Sequence, residues 1–125
     1  MHDVMISYSH KDQQYADMIV GILEQNEIKC WIDYRDATPG VNYAGSIVRA
    51  IKGATFVVLI LSDNSIASAQ VLNEVNSAVN NGVTIIPFKI DAAELNDNLE
   101  YYLSKTHWLD AITPPMESHI CRAST

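Results

Sequence analysis

No stretch of this 125-residue chain reaches the ~18–20 consecutive apolar residues that a bilayer span requires, and no leader is expected before the first apolar run. Basic residues are few, eight Lys and Arg against fifteen Asp and Glu, for a formal net charge of −7. They are scattered and form no patch, which argues against a protein that tracks nucleic-acid phosphates. A nucleotide held by backbone and hydroxyl donors is still compatible. Cysteine is scarce: Cys30 and Cys121 lie far apart and make no metal or redox spacing. Cys30 falls in an apolar strand pattern and reads as a buried packing thiol. With no secretory context, a reducing cytoplasm is the expected compartment. Glycine is scarce too, and none of the five builds a GxGxxG or a P-loop.

What remains is an ordinary globular composition, 48% hydrophobic and 18% charged, in a length that suits one domain. Short apolar runs alternate with helical periodicity. Val4 to Tyr8 reads as a first strand, apolar on both faces. With Ser9 as N-cap, Tyr15, Met18, Ile19, Ile22 and Leu23 then recur at helical spacing. Ile28 to Asp33 reads as a second strand, and Tyr34 to Asn42 as a loop around the turn signal Thr38-Pro39-Gly40. Ala44, Ile47, Val48 and Ile51 share one face of a second helix. Phe56 to Leu61 is the most hydrophobic strand and so the central one. Val71, Leu72, Val75, Ala78 and Val79 mark a third helix, stopped by Asn81-Gly82. Val83 to Ile90 reads as a fourth strand in which Pro87 predicts a bulge or a place near an edge. A short helix over Leu99 to Ser104, a fifth strand over His107 to Leu109 and a last helix opened by Pro114-Pro115 complete the pattern.

Strands separated by helices require right-handed crossovers, hence a parallel sheet with helices on both faces. Five units predict the flavodoxin-like, doubly wound order 2-1-3-4-5. In that order the ends of strands one and three flank the switch point where ligands bind. The residues delivered there are Ser7, Tyr8 and Ser9 with Ser62, Asp63 and Ser65. A phosphoacceptor domain would need an acidic pair after strand one and a lysine ending strand five, and neither is present. A flavodoxin would need a glycine in the loop after strand one, where Ser9-His10-Lys11-Asp12 has none.

His2-Asp3-Val4-Met5-Ile6-Ser7-Tyr8-Ser9 resembles the first-strand box of TIR (Toll/interleukin receptor) domains. Tyr34-Arg35-Asp36-Ala37-Thr38-Pro39-Gly40 resembles their second box, a loop that the family uses for assembly and ligand gating. Ser62 through Glu74 is similar to the family's serine-rich loop and helix. Ile85-Ile86-Pro87-Phe88 and His107-Trp108-Leu109-Asp110-Ala111 resemble bacterial members. The likeness spans nearly all of residues 1–125, read as a single TIR domain opening a longer protein with further domains.

The resemblance implies an NAD glycohydrolase or ADP-ribosyl cyclase, activated by self-association, in a bacterial defence system. NAD is then the substrate, with no cofactor and no metal. Glu74 stands at the position of the family's catalytic glutamate. The chemistry suits it: nicotinamide leaves as a neutral group from a cationic one, so no general acid is needed. One carboxylate beside the ribose can hold its hydroxyls and stabilise an oxocarbenium. Glu74 lies three residues after Val71 and four before Ala78, at the flank of the buried stripe. Ser62, Ser65 and Ser68 can donate to ribose or phosphate oxygens, or simply cap turns and helices. Ser7 and Tyr8 can line the adenine or ribose side, with core packing the other reading for Tyr8. Arg35 reads either as a pyrophosphate contact or as a surface partner of Asp36. Trp31 and Trp108 read as core and rim packing. One position departs from the pattern: many catalytic relatives carry an aromatic four residues before the glutamate, where this chain has Gln70. Tyr43 or a neighbouring subunit is then the candidate for the missing ring. Arg35, Asp36, Pro39 and Gly40 form the expected assembly loop towards other TIR domains. The alternative to an enzyme is a non-catalytic scaffold that uses that loop alone.

Overall fold

The structure is a computed structural model that describes residues 2–38, 40–91 and 109–110. Its strands are β1 (Val4–Ser7), β2 (Cys30–Trp31), β3 (Phe56–Leu61), β4 (Thr84–Lys89) and β5 (Leu109–Asp110). The sheet is parallel throughout, in the order β2-β1-β3-β4-β5. This is the doubly wound arrangement that the strand–helix alternation predicts, with the ends of β1 and β3 adjacent at the switch point. The α-helices are α1 (Gln13–Gln25), α2 (Asp33–Asp36), α3 (Tyr43–Gly53), α4 (Asp63–Ile66) and α5 (Ala69–Asn80).

Alternation along β1 and β3 sorts the core into two layers. Val4, Ile6, Val58 and Ile60 meet Ala16, Ile19, Val20 and Leu23 of α1, together with Cys30 and Ile32. Met5, Val57, Leu59 and Leu61 meet Ile47, Ala50 and Ile51 of α3 and Val71, Val75 and Ala78 of α5. The apolar stripes are narrower than periodicity alone suggests, for Met18, Val48 and Val79 lie at exposed margins. Cys30 is buried on the α1 side, and loss of hydration pushes its thiol up to about 12, so it is an inert packing group.

Local hydrogen bonding corrects several boundaries. The predicted strand from Ile28 to Asp33 shrinks to two residues because α1 ends in a Schellman motif that takes Ile28. The Ile28 N–H donates to the Leu23 carbonyl at 3.0 Å and the Glu27 N–H to the Glu24 carbonyl at 3.1 Å. Beyond Ile32 the chain turns at once. Asp36 N–H donates to the Ile32 carbonyl, and the Asp36 carboxylate accepts from the Ile32 N–H. Segment 34–42, predicted as plain loop, thus contains most of α2 and a 3-10 turn at Gly40–Asn42. No bulge accompanies Pro87, since register with β3 runs unbroken from Phe56↔Thr84 to Leu61↔Lys89. Ile90 N–H donates to Leu61 on β3, so alternation turns residue 87 the other way. Proline there costs β3 no bond, and pairing with β5 starts at Phe88. Of the fifth strand predicted over His107 to Leu109, Leu109 lies in β5, and residues 107–108 lie outside the described residues. The predicted helices at 99–104 and after Pro114-Pro115 lie outside the described residues, as do Trp108 and Cys121.

α5 closes with the same Schellman geometry as α1, Val83 N–H to the Ala78 carbonyl at 2.9 Å, but with Gly82 at the left-handed position, φ 69°. In α1 that position is Glu27, φ 65°. An L side chain there costs ~1–2 kcal/mol, against a smaller entropic cost for glycine in the unfolded chain. Glu27→Gly is therefore expected to raise stability by up to ~1 kcal/mol, and Gly82→Ala to lower it by ~1 kcal/mol. Urea melts of the two variants check both signs; a destabilised Glu27→Gly would refute the cap assignment.

Candidate functional site

β1 delivers Ser7 on the layer that α5 covers and Tyr8, one residue on, to the other side. Ser7 Oγ donates to Glu74 Oε1 at 2.6 Å, and Gln70 Nε2 donates to Oε2 at 3.2 Å from one turn earlier in α5. Glu74 is only 6% exposed, so it belongs to the buried face together with Val71, Val75 and Ala78, deeper than its predicted flank position. Burial pushes its carboxyl up to about 7; the bonds from Ser7 and Gln70 pull the other way without cancelling that effect, and the Asp33 charge adds to it. Glu74 lines a largely apolar cavity of about 230 Å³ between α3 and α5, together with Ile47, Val48 and Ile51 of one helix, Tyr43 at that helix's start and Gln70 of the other.

Asp33, at the start of α2, carries the second buried carboxylate of the crevice, 5% exposed. Its Oδ1 accepts from the Tyr8 hydroxyl at 2.8 Å and the Tyr34 N–H at 2.8 Å. Its Oδ2 accepts from the Tyr43 hydroxyl at 2.6 Å and lies 2.7 Å from His10 Nε2. Burial disfavours the Asp33 charge, yet the bonds from Tyr43, His10 and Tyr8 outweigh it and hold the carboxyl below its ordinary range. An ionised carboxylate can only accept, so the His10 proton sits on Nε2. Burial and then the bond to Asp33 push the Tyr43 hydroxyl up to about 12, against a lowering contact with Gln70.

A third carboxylate, Asp12, joins the two loops of the switch point. Its Oδ2 accepts from the Ser62 hydroxyl at 2.5 Å and its Oδ1 from the Asn64 amide at 2.9 Å, across 50 and 52 residues of sequence. Sequence reasoning missed both Asp12 and Asp33. The signal for Asp33 was an acid ending the second strand opposite hydroxyls at Tyr8 and Tyr43.

The remaining predicted residues divide sharply. Ser7, Tyr8, Tyr43 and Glu74 converge on the crevice. Ser62 and Ser65 are fully buried and close a reciprocal capping box on α4, while Ser68 caps α5 through the Val71 N–H at 3.2 Å. Their hydroxyls serve the backbone, and that of Ser62 donates to Asp12 as well. Arg35 is not brought to Glu74: its guanidinium forks onto Glu24 at 3.1 Å, bonds the Cys30 carbonyl at 2.8 Å and pairs with Asp36. Of its two readings, the structure matches the surface pair. Gly40 adopts φ 77°, open to solvent, as the turn requires. Pro39 lies outside the described residues. Among the described residues no group of three or more His, Cys, Asp or Glu could hold a metal ion, and no helix is long and apolar enough to cross a membrane.

A doubly wound α/β domain with a buried carboxylate at its switch point is thereby defined. The chain belongs to the TIR domain family, whose model matches residues 4–120. Its fold is similar to the TIR domain of the Toll-related receptor TRR-2 from Hydra magnipapillata, with TM-score 0.85 and 23% identity over 99% of this chain and 95% of that one. It is also similar to the TIR domains of the activated Roq1 resistosome, which directly recognises the pathogen effector XopQ (TM-score 0.77, 14% identity, 99% of this chain and 98% of that one). A third likeness is to a metazoan TIR-STING receptor from C. gigas solved with 2',3'-cGAMP, with TM-score 0.79 and 24% identity over 100% of this chain and 40% of the receptor. At such identities the likeness is one of fold. No curated protein matches the chain in sequence.

Proposed function

We propose that this TIR domain cleaves NAD at the nicotinamide–ribose bond, switched on by self-association, as the effector part of a bacterial defence protein. The observation that carries the reading is Glu74: a buried glutamate that lines the cavity between α3 and α5, poised between its two protonation states near neutral pH. Its bonds from Ser7 and Gln70 do not offset the cost of burying the charge, so as a purely structural residue the ionised glutamate works against the folded state.

In the reaction, the C–N bond to the ribose anomeric carbon breaks and its electron pair returns to the nicotinamide ring, which leaves neutral. The positive charge passes to the ribose as an oxocarbenium, beside which the Glu74 carboxylate supplies the compensating charge. Water then attacks and releases a proton, giving ADP-ribose, or an adenine nitrogen attacks and gives a cyclic isomer. Ser7 orients the carboxylate by its 2.6 Å bond.

A second reading, a non-catalytic TIR–TIR scaffold, is favoured by Gln70, whose amide occupies Glu74 Oε2 where the family's aromatic would stand. Fusing the chain to an oligomerising partner and incubating it with NAD separates the two. Release of nicotinamide at a rate per subunit that rises with assembly supports the enzyme. No release from the assembled chain leaves the scaffold.

Assembly is assigned to segment 35–40. Gly40→Val places a β-branched residue at positive φ and is expected to deform the turn and to lower stability by at least ~1 kcal/mol, although the added side chain meets open space. Sedimentation beside the NAD assay should show self-association and activity falling together. Lost activity with intact assembly would reassign the loop to gating the pocket.

A further inference from the structure

We propose that Asp33 is a positioning residue of the crevice: its carboxylate holds the Tyr43 hydroxyl at the rim of the cavity beside Glu74 and ties α3 to the end of β1. The role in turnover rests on the NAD-cleaving reading above, but the tether itself does not. Asp33 accepts from four donors carried by three separate segments: Tyr8 and His10 after β1, the Tyr34 N–H on α2, and Tyr43 opening α3. Of these four bonds only the one from the Tyr34 N–H, the next residue in the chain, is local. Tyr8 is buried and its hydroxyl needs an acceptor, but His10 and the Tyr43 phenol both reach solvent and need no carboxylate for burial.

The four bonds leave Asp33 no free lone pair for a ligand, so it does not act on substrate directly. Of its donors, Tyr43 is the one that lines the cavity, together with Gln70 and Glu74. Asp33 and Tyr43 flank residues 34–42, so the 2.6 Å bond between them ties the two ends of that stretch together. With Gln70 in place of an aromatic, Tyr43 is the ring left to pack against a bound nicotinamide, and its angle is set by this bond. Asp33→Asn keeps the size but turns one acceptor into a donor, which forces the Tyr43 hydroxyl to reverse or let go.

The test compares Asp33→Asn, Tyr43→Phe and the double variant in the oligomer-fused chain, with two independent readouts. The first is the ring and hydroxyl titration of Tyr43 by NMR on tyrosine-labelled protein without ligand. The tether predicts that Asp33→Asn returns Tyr43 toward the ordinary tyrosine range with the fold intact; an unchanged Tyr43 overturns it. The second is NAD cleavage. Each single variant is expected to lose about 10- to 100-fold in kcat/KM, mainly in kcat, and the double variant no more than the worse single. Additive losses overturn the route through Tyr43. A wild type that releases no nicotinamide refutes the proposed function, while the titration still decides the tether. If Asp33→Asn does not fold, Tyr43→Phe decides alone: it removes the tether and leaves Asp33 on Tyr8 and His10, and wild-type kcat from it overturns the proposal.

Discussion

NAD cleavage by Glu74→Gln is expected to fall at least ~10²-fold below wild type, the scale of one lost electrostatic contact to a developing charge. Glutamine preserves the shape and turns one of the two acceptors into a donor, which the Gln70 amide can meet by flipping, so the loss chiefly reports the negative charge. The wild type should itself betray that charge through pH. Because burial raises the free carboxyl to about 7, kcat/KM should climb about tenfold per unit below that value and level off above it. Bound NAD brings a cationic ring beside Glu74, which favours the ionised form. The midpoint of kcat should therefore lie below that of kcat/KM. Initial rates at sub-saturating and saturating NAD between about pH 5 and 9 provide both curves. Equal rates in variant and wild type, or a wild type indifferent to pH, would refute the assignment.

The same substitution should stabilise the protein at alkaline pH. The folded state holds the Glu74 proton up to about 7, well above the ordinary value of 4.5. Its contribution is thus fully present below about 4.5 and is lost as pH rises through about 7. Glutamine carries no such term. At pH 8 Glu74→Gln should be more stable than wild type by about 2–3 kcal/mol, and at pH 4 the two should coincide. Asp33, held below its ordinary range, acts in the opposite sense and loses its contribution as pH falls. That term is common to both proteins and cancels in their difference. Urea melts at pH 4, 6 and 8 give the three points. A wild type as stable as the variant at pH 8 would mean that Glu74 is not desolvated as described. A gain here with a loss in rate is the expected mark of a site kept for function at the cost of stability.

Strand order was legible because apolar runs and helical stripes alternate cleanly, and each run is long enough to state its period. Glu74 was legible through its place relative to Val71 and Ala78 and through the family motif. What stayed hidden was set by partners distant in sequence. Asp33 gathers Tyr8, His10 and Tyr43 from 25, 23 and 10 residues away, and nothing local distinguishes it from Asp36, which caps its own turn. Boundaries failed where short-range hydrogen bonds override propensity, as at Ile28, taken by the α1 cap, and Ile32, taken by α2. The serines were legible only as a pair of alternatives: a hydroxyl suited to a phosphate is equally suited to a helix N-terminus, and in this chain each of the three caps one or closes a capping box.

Burial of Cys30 in the two-residue edge strand gives the molecule a built-in clock. With its thiol pushed up to about 12, almost no thiolate exists at neutral pH, and the closed strand hides the sulfur as well. Any fluctuation that lifts β2 off β1 exposes the sulfur and returns it toward ordinary acidity at the same moment, so alkylation is gated twice by one event. Strand β2 leads directly into Asp33. The rate at which Cys30 is alkylated under native conditions therefore counts the openings of the edge that anchors the crevice, and anything that tightens the Asp33 junction should slow that count.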